Sequence, residues 1–195
     1  MPTPGSTIAD RITDLIGAEY ATIPSLSYKD LINAAFNEAA DLISDDLLLK
    51  YSSAPTTVTS ASGVSIEDKK ILKVTRIDAN AYSPIYKLHS DNAASTLVIY
   101  PDCDGSGQEG KIFYFTYATN STDLSAITAA TLNTSHFLPT TSIHAIVLKS
   151  CVNILNSYIS NQIQDEEDVE LMQMLQNQIQ LLEKSFLEEI QRFQK

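Results

Sequence analysis

Three glycines, Gly105, Gly107 and Gly110, stand at the GxGxxG spacing that lets backbone N–H groups approach a pyrophosphate at a helix N-terminus. The residues that follow, KIFYFTY from Lys111 to Tyr117, are β-branched and aromatic and read as a strand. With no helix dipole facing the loop, a phosphate has no anchor there, and the spacing reads as a glycine turn. A protein-kinase glycine loop does lie between strands, but the VAIK, HRD and DFG signatures are absent from the sequence. In the same loop Asp102, Asp104 and Ser106 imitate the first half of a calcium-binding loop, where alternate carboxylates converge on one hard cation. Position twelve of such a loop falls on Phe113, not on a bidentate Glu, which favours solvated turn acids over an ordered cation. His89, His136 and His144 have no HExxH-type spacing, and no GxSxG elbow is present. Cys151 lies in an apolar helical pattern, and Cys103 has no basic sequence neighbour to lower its pKa. Taken together these residues predict no enzyme, no cofactor and no metal site.

Composition narrows the classes further. The chain has 195 residues, 44% of them hydrophobic, enough for a single domain with one well-buried core. Its 13 Lys and Arg against 24 Asp and Glu give a net charge of -11, which disfavours general attraction to phosphate backbones or anionic lipid. Two distant cysteines fit a reduced compartment better than a disulfide framework. The opening MPTPGSTIADR lacks the basic and apolar regions of a signal peptide, and no run of about 18 apolar residues predicts a membrane span.

The elements that must carry any function are helical at both ends and β in the middle. Ile8, Ile12, Leu15 and Ile16 predict a short helix capped by Ser6 or Thr7. Ser27 with Asp30 resembles a capping box, so a second helix should run from Tyr28 to about Lys50. Leu31, Ile32, Ala35, Phe36, Ala39, Leu42, Ile43 and Leu47 form its apolar face, with Asn33, Asn37, Glu38, Asp41 and Asp45 largely opposite. Residues 52–65, rich in Ser, Thr and Ala, read as a loop or a loosely paired edge strand. Ile71–Ile77, Leu97–Tyr100 and Lys111–Tyr117 read as strands, the last two pairing as a hairpin. After Pro139 an amphipathic helix begins near Thr141 and carries Ile143, Ile146, Val147, Cys151, Ile154, Leu155, Tyr158 and Ile159. A last helix runs to about Phe193, its N-terminal dipole favoured by Asp165, Glu166, Glu167 and Asp168. Met172, Leu175, Ile179, Leu182, Phe186 and Phe193 form a heptad-like seam on it, interrupted at Glu189. The fold class that follows is α+β, a bundle of N- and C-terminal helices with a small antiparallel sheet inserted. Its parts would be residues 1–51, 52–137 and 138–195 of one domain.

Charge is unevenly spread. Lys69, Lys70, Lys73, Arg76 and Lys87 put five of the 13 basic residues in one short stretch, whereas residues 165–195 hold eight acids and three bases. Lysines that guard a strand edge explain the first cluster as well as an interface does. The interface alternative is charge complementarity between copies, with the acidic helical end of one subunit steering onto the basic β end of the next. Lys69, Lys70, Lys73 and Arg76, with the seam residues Met172 to Phe193, are the candidate partner or bundle contacts.

The order of pieces resembles the head-to-tail adaptor, connector or neck proteins of tailed bacteriophages. The resemblance is carried by YKDLINAAFNEAADLI (Tyr28–Ile43), the β segment Lys69–His89, and LVIYPD with GKIFYFTY (Leu97–Tyr117). The Pro-initiated helix Leu138–Ile159 and the glutamine-rich helix Val169–Phe193 complete it. It is a likeness of layout over most of the chain, with no catalytic motif, and the Ser/Thr segment 52–65 has no clear place in it. The resemblance implies a homo-oligomeric ring, a dodecamer in such proteins, placed in the virion between portal and tail proteins after synthesis in the host cytoplasm. DNA would pass through its channel without specific binding, and no membrane would be involved. A tail terminator or other tail-junction protein is the nearest alternative; a cytoplasmic adaptor that binds a partner helix through the C-terminal seam is the second.

Overall fold

In a computed structural model the described residues are 5–21, 27–59, 63–77, 85–91, 94–100, 103, 109–162 and 169–194. The architecture is α+β with helices at both ends of the chain. The helices are α1 (Ile8–Ile16), α2 (Tyr28–Leu42), α3 (Asp45–Tyr51), α4 (Ala129–His136), α5 (Ile143–Gln162) and α6 (Val169–Ile190). Between α3 and α4 run β1 (Thr56–Val58), β2 (Val64–Ser65), β3 (Lys69–Ile77), β4 (Ile85–Asp91), β5 (Ala94–Tyr100) and β6 (Glu109–Thr116). The chain forms two compact units, a helical one from Met1–Ser44 and Ala118–Lys195 and a β one from Asp45–Tyr117. These borders differ from the division at 51/52 and 137/138 drawn from sequence. Residues 118–127 hydrogen-bond to α1 and α2, while α3 packs on β3 and β6.

In the helical unit α5 is the hub. Ile143, Ala145, Ile146, Val147, Leu148, Ser150, Cys151, Val152, Ile154 and Leu155 are all buried, so this helix is covered nearly all round and is not the one-sided amphipathic helix its pattern predicts. Neighbours α1, α2 and α6 supply the cover. Thr7 caps α1 in a reciprocal box with Asp10, whose carboxyl is held below its usual range by the Thr7 amide and hydroxyl. Ser27 does not cap α2 this way; its hydroxyl donates to the Asp30 carboxylate instead. The Lys149 ammonium joins three helices, 2.7 Å from Glu38 of α2 and 5.5 Å from the centre of the Phe186 ring of α6.

Three further departures from the sequence reading have physical causes. The single helix expected from Tyr28 to Lys50 is two helices: Ile43 turns extended, and the Ser44 N–H donates to the Phe193 carbonyl. Ile43 is buried in the helical unit and Leu48 in the β unit, so the break falls where the chain passes from one core to the other. Asp45 and Asp46 then start α3 at its positive dipole end. Asn33 and Asn37, assigned to the polar side of α2, instead hold the returning chain. Asn33 Nδ2 donates to the carbonyls of Thr119 and Thr122, both at 2.9 Å. Asn37 donates to the Ala118 carbonyl at 3.0 Å and accepts its N–H at 2.8 Å, as a neighbouring strand would. Replacing Asn37→Ala is expected to cost about 1–3 kcal/mol, read as a lower urea midpoint at unchanged slope. Helix α4 has weak periodicity and announces itself only through the Thr128–Thr131 capping box.

In the β unit the strands form two antiparallel sheets, ordered β1-β6-β3 and β2-β5-β4. The hairpin expected between Leu97–Tyr100 and Lys111–Tyr117 therefore does not form. β5 pairs with β4 and β2, β6 pairs with β3 and β1, and the chain crosses from one sheet to the other between them. Burial drives this arrangement: Leu97 and Ile99 of one sheet share a core with Val58 and Ile112 of the other and with Cys103. Residues 56–58 and 64–65 are short edge strands, the second of the two readings open for segment 52–65.

Candidate functional site

Of the three motif glycines, Gly110 is the one among the described residues. Gly110 belongs to β6 and packs directly under the Ile99 side chain, where any Cβ would collide. Its partners in the motif, Gly105 and Gly107, and the acids Asp102 and Asp104 lie outside the described residues. Among the described residues no group of three His, Cys, Asp or Glu side chains could hold a metal ion, and no helix is long and apolar enough to cross a membrane.

Cys151 and His136 serve the core. Cys151 is fully buried in α5 and burial pushes its thiol up to about 12, which leaves it a small hydrophobe. His136 ends α4 with its ring edge-on to Phe36, 5.7 Å between centres, and burial lowers its pKa from 6.5. The neutral ring is thus favoured in the fold. Its contribution is present above about pH 6.5 and lost as pH falls from there through the lower folded value. Thermal midpoints taken from about pH 7.5 down to about 5 should fall less steeply for His136→Gln than for the parent chain. His144 is exposed on α5, and His89 lies in β4.

The basic cluster is split by the pleat of β3. A register shift between Ile71 and Lys73 puts Lys69, Ile71, Val74 and Arg76 opposite Thr116, Tyr114, Ile112 and Gly110, on the side that carries the sheet core. Lys69 lies 4.8 Å from the centre of the Tyr114 ring and donates to the Ser65 carbonyl at 3.0 Å, while Arg76 is half-buried. The other side carries Lys70, Lys73 and Thr75, opposite Phe115, Phe113 and Lys111. Helix α3 covers one end of that side, where Asp45 meets Lys70 at 2.9 Å. Beyond it Lys73 and Thr57 are exposed and Lys111 and Phe113 half-buried. The structure thus joins Lys73 to Lys111, a residue that the sequence reading left out of the cluster; the alternation of Lys111 and Phe113 along KIFYFTY was the available signal. Lys87 lies in β4 of the second sheet.

The α6 seam is buried within the chain. Leu175, Ile179 and Phe186 are buried, Met172 and Leu182 half-buried, and α5 is the principal neighbour. Where the heptad pattern meets Glu189, the helix steps four residues from Phe186 and buries Ile190 instead, which frees Glu189 to pair with Arg192 at 2.6 Å. Phe193 is buried in the 3-10 turn that follows. Away from the seam, α6 exposes Met174 (54%) and Leu181 (67%), one heptad apart. A hollow of about 430 Å³ also runs along α6, lined by Gln180, Glu183, Lys184, Leu187, Glu188 and Gln191. Because a single helix forms it, it encloses no small molecule.

The chain matches no family model, no curated protein and no solved structure. The helical unit holds 15 Asp and Glu against 6 Lys and Arg, a net of -9, whereas the β unit holds 9 against 7, a net of -2. Within strands β1, β3 and β6 the balance inverts, with Lys69, Lys70, Lys73, Arg76 and Lys111 against Glu109 alone. The molecule carries one strongly acidic unit and one basic sheet.

Proposed function

We propose that the chain is a non-enzymatic structural subunit of a tailed-phage virion, a head-to-tail adaptor or connector that assembles with its own copies into a ring between portal and tail. The observation that carries this reading is the layout. Helices from both chain ends build one unit, a two-sheet β unit is inserted into it, and the two differ by seven charges. Such asymmetry suits a head-to-tail contact between copies, the geometry that closes into rings. An acidic unit facing a DNA channel would let the duplex slide, since few phosphates could be neutralised. The partner-helix adaptor reading needs a free C-terminal seam, and that seam is occupied by α5.

The test is a binding experiment. Purified chain is mixed with isolated portal rings and sedimented, alongside light scattering of the chain alone. Co-sedimentation in multiple copies per ring supports the connector role. A chain that stays monomeric alone and leaves portal rings unoccupied contradicts it.

A further inference from the structure

The break between α2 and α3 is two residues long, Ile43 and Ser44, and local preferences pull on it in both directions. Ile32, Phe36, Ala39, Ile43 and Leu47 follow one another at steps of four, three, four and four, so an unbroken helix would keep Ile43 on the side of α2 that is already buried. Ser44 with Asp45 and Asp46 favours instead a fresh helix start, the two carboxylates lying at its positive dipole end. The turn after α6 tips this balance. The Phe193 carbonyl accepts the Ser44 N–H at 3.2 Å, and the Gln194 side-chain amide donates to the Leu42 carbonyl at 3.3 Å. Phe193 is itself buried, and the pairing of Arg192 with Glu189 at 2.6 Å braces the turn that presents it. Both held groups are ones that a running helix would claim, the Ser44 N–H for the Ala40 carbonyl and the Leu42 carbonyl for the Asp46 N–H. The turn and the helix compete for the same backbone atoms.

We propose that Phe193 and Gln194 are a latch on a two-state junction. With the latch engaged, Ile43 is extended (φ -73°, ψ 140°) and α2 and α3 are separate. With it released, the Ser44 N–H and the Leu42 carbonyl take helical partners, and residues 28–51 form one helix. Whatever displaces Phe193 and Gln194 thereby redirects the chain at the point where it passes into the β unit. The junction works within a single copy and needs no portal, so it stands apart from the connector reading.

The carbon-13 chemical shift of Ile43 Cα distinguishes the two states in the full chain, with circular dichroism to confirm folding. In the parent it should lie in the extended range. Phe193→Ala with Gln194→Ala should move it into the helical range. Adding Ser44→Pro to that pair should move it back, because proline has no N–H, cannot carry a helix through position 44 and favours the extended backbone that Ile43 already has. Gln194→Ala alone leaves the core intact and should shift the resonance part of the way towards the helical range; it decides the matter where the double variant does not fold. An Ile43 resonance outside the helical range in the folded double variant overturns the proposal. So does an unmoved resonance in Gln194→Ala where the double variant does not fold, and so does a helical shift that persists with Ser44→Pro.

Discussion

Ending the chain after Gln162 is expected to unfold the helical unit. Truncation removes Leu175, Ile179, Phe186, Ile190 and Phe193, all buried at 8% exposure or less, and uncovers the side of α5 they rest on. At about 1.5–3 kcal/mol for each large apolar side chain, the lost burial is of the order of a whole domain's stability, about 5–15 kcal/mol. The Ser44 N–H also loses its acceptor, the Phe193 carbonyl, at the point where the chain leaves the unit. Far-ultraviolet circular dichroism should show most of the helical signal gone at room temperature. A partner-binding tail predicts the opposite, a truncated chain that melts like the parent and lacks only its binding activity.

Phe36→Ala is expected to produce the largest loss of any single substitution in α2, about 3–5 kcal/mol. Phe36 is fully buried, touches the His136 ring edge-on, and lies on the helix that packs along α5. Its helix neighbours Ala35, Ala39 and Ala40 are fully buried too, and their single methyl groups are too short to fill the void. Phe36→Leu, which keeps most of the volume, should cost appreciably less. Urea unfolding of the two variants beside the parent measures both. Equal midpoints for Ala and parent would show that α2 does not carry the core.

Elements whose identity depends on local chemistry were legible in the sequence. Thr7 with Asp10 starts α1, Pro139 precedes the turn into α5, and the steps from Met172 to Phe186 trace the side of α6 that is buried. What long-range packing decides was not legible. The periodic pattern runs unbroken through Ile43, yet α2 stops there, where the chain passes from one core to the other. KIFYFTY is plainly a strand, yet its partner is β3, not the nearer β5, because the apolar sides of the two sheets must face each other. Asn33 and Asn37 look like solvent-side residues until residues 118–122 return to meet them. The candidate surface follows the same division. The excess of lysine was visible, but the register shift after Ile71 decides which lysines share a face, and it moves Lys69 away from Lys73 while bringing Lys111 beside it.

Electron microscopy of the purified chain, alone and after incubation with portal rings, bears most directly on whether copies of this molecule join head to tail into a closed assembly. Head-to-tail joining predicts particles with rotational symmetry about an open axis, free or stacked on the portal. Fields of single-copy particles under both conditions, at concentrations where the portal rings themselves are intact, would contradict it.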